Sequence, residues 1–153
     1  MIQKIAKHKP LALLALTLVT AIAPLAANIV QKDAAYAASF CQCTTYVANR
    51  FNLTRNFPHA GEWNDGYLQR NGFRQTTVRP GAVVVMERSF PGSDRSFGHV
   101  GIVESVSNGR ITVRGGNQWV GSRLFSEANC SNVRTTAFGT SVNGRSDISF
   151  WVR

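Results

Sequence analysis

The first 37 residues differ in composition from all that follow, and this break most constrains what the chain can fold into. Lys4, Lys7, His8 and Lys9 make a positive start, and an apolar run from Leu11 to Ala27 follows, interrupted by Pro24. Polar Asn28, Gln31, Lys32 and Asp33 come next, then Ala35-Tyr36-Ala37, an A-x-A cleavage pattern before Ala38. A charged start, an apolar stretch and a small-residue site together describe a secretory signal peptide over residues 1–37. The alternative is an uncleaved membrane anchor. Against it, the run is about 17 residues, at the short edge of what spans a bilayer, and Pro24 breaks it. The expected location is secreted or periplasmic, with membrane contact only through an uncleaved segment.

Residues 38–153 are left to fold, a length suited to a single domain. The whole chain carries 17 Lys plus Arg against 8 Asp plus Glu, a formal +9. The mature part has 13 arginines, no lysine and seven acidic residues, a net +6. Arginine is a planar, multidentate donor suited to carboxylates and phosphates. These arginines stand singly rather than in runs, so no nucleic-acid patch is expected and solubility accounts for most of them. The sequence has no internal repeat, no low-complexity linker and no separate wall-targeting repeat, and a monomer is expected.

Phe40, Cys43, Val47 and Phe51 recur near a 3.6-residue period, which predicts an amphipathic helix over 40–51. A short second helix is expected over Gly61 to Leu68, where Trp63, Tyr67 and Leu68 share a face. Arg79-Pro80-Gly81 is turn chemistry, and Ala82 to Met86 reads as a buried strand. Ser89 to Phe97 reads as a loop. His99–Val106 and Arg110–Arg114 form a hairpin around Asn108-Gly109. Further strands are expected near Val133–Val142 and Ile148–Val152. A helix followed by an antiparallel sheet is an α+β pattern.

The mature chain holds two histidines, His59 and His99, and three cysteines, Cys41, Cys43 and Cys130. A cysteine is a strong nucleophile only as thiolate, and a helix N-terminus with a nearby imidazole favours that state. Cys43 opens the first helix, and His99 opens a strand after a loop, suitable places for a Cys–His pair. His59, after Phe57-Pro58, reads as exposed and incidental.

These residues carry a resemblance. Gln42-Cys43-Thr44-Thr45-Tyr46-Val47 is similar to the nucleophile motif of the CHAP family, the cysteine, histidine-dependent amidohydrolases and peptidases. Gly98-His99-Val100-Gly101-Ile102-Val103-Glu104-Ser105-Val106 resembles that family's histidine motif, and Arg79 to Val85 its Pro-Gly strand. Trp63 falls where the family has a tryptophan in the intervening helix. The order agrees from about Cys41 to Trp119. The resemblance implies a papain-like fold, peptidoglycan as partner and amide-bond cleavage by an acyl-enzyme route without metal or cofactor. Gln42 is then a candidate for the oxyanion hole and Trp119 for the groove.

Where the family carries E-x-N, this chain has Gly115-Gly116-Asn117, so Asn117 is the residue expected to orient His99. Regular pairing around Asn108-Gly109 would turn Asn117 away, because side chains alternate along a strand. A bulge at Gly115-Gly116 is therefore expected. Cys41 and Cys130 are expected to form a disulfide that leaves Cys43 free. Cys43 bonded to Cys130 is the rival pairing, and a zinc site is disfavoured by the C-x-C spacing. Two other functions fit the same residues: an inactive wall-binding module, or a secreted amidase toxin acting on a competitor's wall.

Overall fold

The computed structural model describes residues 40–120 and 123–153, and the expected signal segment lies outside them. Helix α1 runs over Cys43–Phe51 and begins three residues later than its periodicity suggests. The delay follows from Gln42, which is extended at φ −71° and ψ 151°. Asn52 ends the helix at φ 51°, and its N–H reaches the carbonyls of Ala48 and Asn49, a common left-handed stop.

The second helical region is three short pieces: a 3₁₀ turn at Ala60–Glu62, a π-type turn at Trp63–Tyr67 and α2 at Leu68–Arg70. Asp65 and Gly66 leave helical geometry, with Gly66 at φ 95°. Trp63, Tyr67 and Leu68 are nonetheless all buried, as their shared face suggests.

Eight strands follow: β1 Arg74–Thr76, β2 Val83–Met86, β3 His99–Ser107, β4 Arg110–Gly115, β5 Gln118–Val120, β6 Arg123–Phe125, β7 Arg134–Phe138 and β8 Ile148–Val152. Six form an antiparallel sheet in the order β1-β8-β2-β3-β4-β7, and β5-β6 stand as a separate hairpin. The three-residue strands β1, β5 and β6 carry too little periodicity to be read from sequence. The architecture is α+β and papain-like, with a helix carrying Cys43 packed on a small antiparallel sheet.

Both faces of the sheet are buried, which explains the unbroken apolar run of β2. Val83 and Val85 join α1's Val47 and Ala48, Trp63, Leu68, Val100 and Trp151 on one side. Val84 and Met86 join Phe90, Val103, Ile111, Val113, Phe138 and Phe150 on the other. The alternation is the ordinary two-residue period of a strand.

A bulge does occur in the β3–β4 hairpin, but on the opposite strand from the one expected. Ser107 pairs with Arg110 and Ser105 with Thr112, whereas Val103 pairs with Val113 and Ile102 with Arg114. The extra residue is Glu104 in β3, and the ladder between β3 and β4 is regular from Val103 down to Ile102. Gly115 is instead the last residue of β4, paired with Arg134 of β7.

Candidate active site

The site is built where the start of α1, the start of β3 and the turn from β4 into β5 converge. Two glycines set the entry to β3. Gly98 has φ 71°, and a Cβ there would lie 2.5 Å from the Gly61 Cα. The Gly61 N–H donates to the Phe97 carbonyl at 2.8 Å. This contact between main chains fixes the residue immediately before His99. The preceding loop is held by Asp94, whose Oδ1 accepts from the N–H groups of Ser96 (2.8 Å) and Phe97 (2.9 Å).

His99 is 5% exposed. Its Nε2 lies 3.3 Å from Gln118 Oε1. Gln118 is itself 2% exposed, and its Nε2 donates to the carbonyls of Val113 (3.2 Å) and Arg134 (2.5 Å). Both amide hydrogens are thus committed to carbonyls, so Oε1 can only accept. His99 Nε2 must then carry the proton, leaving Nδ1 as an acceptor. Burial pushes the His99 pKa down to about 4, against smaller opposing effects from the Gln118 hydrogen bond and the Asp94 charge. The imidazole is neutral near pH 7. Gly115 gives the pair room, since a Cβ there would lie 3.4 Å from His99 Nε2 and 3.3 Å from Gln118 Oε1.

Cys43 is the free cysteine of the described residues and is 9% exposed. Burial raises its pKa, while the backbone amides of Val100, Thr44 and Cys43 itself favour the thiolate and oppose the rise. The thiol therefore sits against the main chain of the residue next to His99. No hydrogen bond joins the Cys43 thiol to the His99 imidazole, whose ring bonds to Gln118.

The side chain within hydrogen-bond reach of His99 is that of Gln118, not Asn117. The register of Ile102 with Arg114 would bring Asn117 opposite His99 if β4 continued, but β4 ends at Gly115 and the chain turns at Asn117, which has φ 51°. The Asn117 side chain instead donates from Nδ2 to Gln42 Oε1 at 3.2 Å and accepts from Ser126 Oγ at 2.7 Å. Gln118 lies one residue beyond the motif position that Asn117 fills. The available signal was a lone glutamine entering an otherwise apolar short strand.

Cys41 and Cys130 are bonded across 89 residues. The bridge packs on Gly116, where a Cβ would lie 2.4 Å from the Cys41 carbonyl oxygen. Glu127 reinforces the same corner: its carbonyl accepts from Cys41 N–H at 2.7 Å, and its carboxylate accepts from the N–H groups of Asn117 and Arg134, each at 3.3 Å. Trp119 is 42% exposed on the β5–β6 hairpin, opposite Leu124, and so is not part of the core. His59 is exposed as expected, with its ring 5.0 Å from that of Phe97. Among the described residues no cluster of His, Cys, Asp and Glu could hold a metal ion, and no helix is long and apolar enough to cross a membrane.

Comparison with known proteins bears on the fold and the family. A solved N-acetylmuramoyl-L-alanine amidase from Staphylococcus aureus has a similar fold, with a TM-score of 0.54 and 23% identity. The similarity covers 73% of this chain but 31% of that one, so this chain spans about a third of that protein's length. No curated protein matches the chain. The pattern of the CHAP domain matches residues 31–117, a span that holds Gln42, Cys43, His99 and Asn117. By that match over more than half its length, the chain belongs to the CHAP domain family.

Proposed function

We propose that this chain is an exported peptidoglycan hydrolase that cleaves an amide bond through an acyl-enzyme on Cys43. The observation that carries this reading is the directed hydrogen bond between Gln118 and His99, which leaves His99 Nδ1 free as a base in the part of the fold that holds the thiol. Family membership supports the class of reaction, and the amidase of similar fold supports peptidoglycan as substrate. The Cys41–Cys130 bridge supports an oxidising compartment.

In the proposed cycle, His99 Nδ1 takes the Cys43 proton as the thiolate attacks the amide carbonyl carbon. The developing oxyanion accepts from the Cys43 backbone N–H at the start of α1 and from Gln42 Nε2. His99 then returns the proton to the leaving amine as the C–N bond breaks, forming a thioester. Water, deprotonated by His99, releases the acid and restores the thiol. Burial keeps thiol and imidazole neutral at rest, so the proton moves only when substrate closes the gap between them.

The test is to incubate the mature protein with purified peptidoglycan and identify released fragments by mass spectrometry, with Cys43→Ala as control. New termini that depend on Cys43 are expected. Their chemistry reports whether the bond cut joins peptide to sugar or lies within the stem peptide. Fragment release that persists in Cys43→Ala, or none from either protein, would overturn the reading.

A further inference from the structure

We infer that Asn117 is a positioning residue for the oxyanion hole: through its side-chain amide it aims Gln42 Nε2 at the substrate carbonyl. The inference rests on the proposed role of Gln42 and assigns Asn117 a task separate from the orientation of His99.

Gln42 stands just before α1, where a side chain commonly folds back to cap the first turn. It does not do so; no side-chain cap is made. Its Oε1 is taken instead by Asn117 Nδ2 at 3.2 Å. The Asn117 amide is held at its other end too, where its Oδ1 accepts from Ser126 Oγ at 2.7 Å. Donors and acceptors therefore run in one direction: Ser126 O–H to Asn117 Oδ1, then Asn117 Nδ2–H to Gln42 Oε1. Gln42 Nε2 is left at the end of this chain, and no described residue accepts from it.

The backbone is committed to the same end. Asn117 takes φ 51°, a conformation that Asn tolerates better than most residues. Its N–H donates to Glu127 Oε2 at 3.3 Å. Glu127 is tied in turn to Cys41, the neighbour of Gln42, by the 2.7 Å bond from Cys41 N–H to its carbonyl. The residue that orients Gln42 is thus anchored to the segment that carries Gln42. Such a donor, held before the charge develops, requires little rearrangement in the transition state.

The test measures kcat and KM for peptidoglycan fragment release by the disulfide-bonded protein and its variants Asn117→Gly, Asn117→Asp, Gln42→Ala and the double Asn117→Gly/Gln42→Ala. Gly keeps the left-handed backbone, and Asp keeps the acceptor for Ser126 but removes the donor to Gln42. Both single variants at Asn117 should lower kcat about tenfold, in the range for loss of a supporting group, with KM within about twofold. In the Gln42→Ala background, Asn117→Gly should change kcat by less than about twofold. The pH profile of Cys43 alkylation by iodoacetamide should stay in place, because His99 is untouched. Unchanged kcat in Asn117→Gly, a loss independent of Gln42, or a displaced alkylation profile would each overturn the inference. Failure of both single variants to give a cooperative thermal transition would also overturn it, by making Asn117 a folding residue. Full activity of Gln42→Ala would instead remove the oxyanion role of Gln42 and the inference with it, while leaving the roles of Cys43 and His99 to their own test.

Discussion

Asn117 and Gln118 are adjacent in the chain, yet their side chains reach different partners: Asn117 donates to Gln42, whereas Gln118 accepts from His99. One turn thus contacts both the residue before Cys43 and the imidazole of His99. The two are not interchangeable. Asn117 sits in the turn itself, and the longer Gln118 side chain fills a buried space between β3, β4 and β7.

Gln118→Ala should lower kcat/KM by about 10–100-fold, because the imidazole loses the partner that fixes its tautomer. The Gln118 hydrogen bond raises the His99 pKa, so its loss should also move the acid limb of the pH–rate profile to lower pH. Gln118→Glu, which restores a family acid near this position, should destabilise the protein. Its carboxylate would face the carbonyls of Val113 and Arg134 with no hydrogen to donate, at about 1–3 kcal/mol for each buried acceptor left unpaired. Chemical denaturation and pH–rate profiles check both outcomes.

Stability should fall in mild acid. The His99 pKa lies at about 4 in the folded protein, below its ordinary value of 6.5, so between these values the unfolded chain holds a proton that the folded one excludes. Stability contributed by keeping His99 neutral is complete above the unfolded pKa and declines as pH falls from 6.5 towards 4, by about 3 kcal/mol in total. Urea midpoints measured across that window should show the decline, and His99→Gln should flatten it.

Breaking the Cys41–Cys130 bridge should cost stability on the scale of a long closed loop. The bonded residues are 89 apart, which corresponds to about 4.6 kcal/mol of unfolded-state entropy. The double variant Cys41→Ser/Cys130→Ser should show this loss in guanidinium unfolding. Thiol titration of the native, unreduced protein should detect Cys43 alone once the chain is unfolded.

Gly98→Ala should lower both stability and activity. A methyl group there would fall 2.5 Å from the Gly61 Cα and 2.6 Å from the Met86 carbonyl oxygen, at a φ of 71°. Relief requires the main chain before His99 to move, at about 1–3 kcal/mol. Gly144→Ala serves as the control, because its φ of 69° is also left-handed but nothing crowds its Cβ. The melting temperature should fall further for Gly98→Ala, and only that variant should lose fragment release.

Much of the fold was legible because its elements carry strong local signals. The period of α1, the apolar run of β2, the Asn108-Gly109 turn and the β8 run Ile148–Val152 each bury what their patterns say they should. The short strands were not legible, since three residues show no period, and the broken helix at Asp65-Gly66 follows from tertiary packing of Trp63 and Tyr67. Around the candidate site, the place of Cys43 at a helix start, that of His99 at a strand start and the Cys41–Cys130 pairing could be read from residue type and position. The partner of His99 could not, because it depends on where β4 stops: the strand ends at Gly115 and the turn at Asn117 brings Gln118, not Asn117, to the imidazole.

That extra residue, Glu104, gives β3 two phases. Before it Val103 faces the core, and after it Val106 does so in place of Ser105. Polarity in the outer half of the hairpin is therefore offset by one position from that in the half leading to His99. A relative without the insertion would have to carry the opposite inside–outside pattern from residue 105 to the Asn108-Gly109 turn. Ungapped comparison would set its core-facing positions against solvent-facing ones. The outer half can thus diverge as a unit, while the inner half stays tied to the spacing between His99 and Gln118.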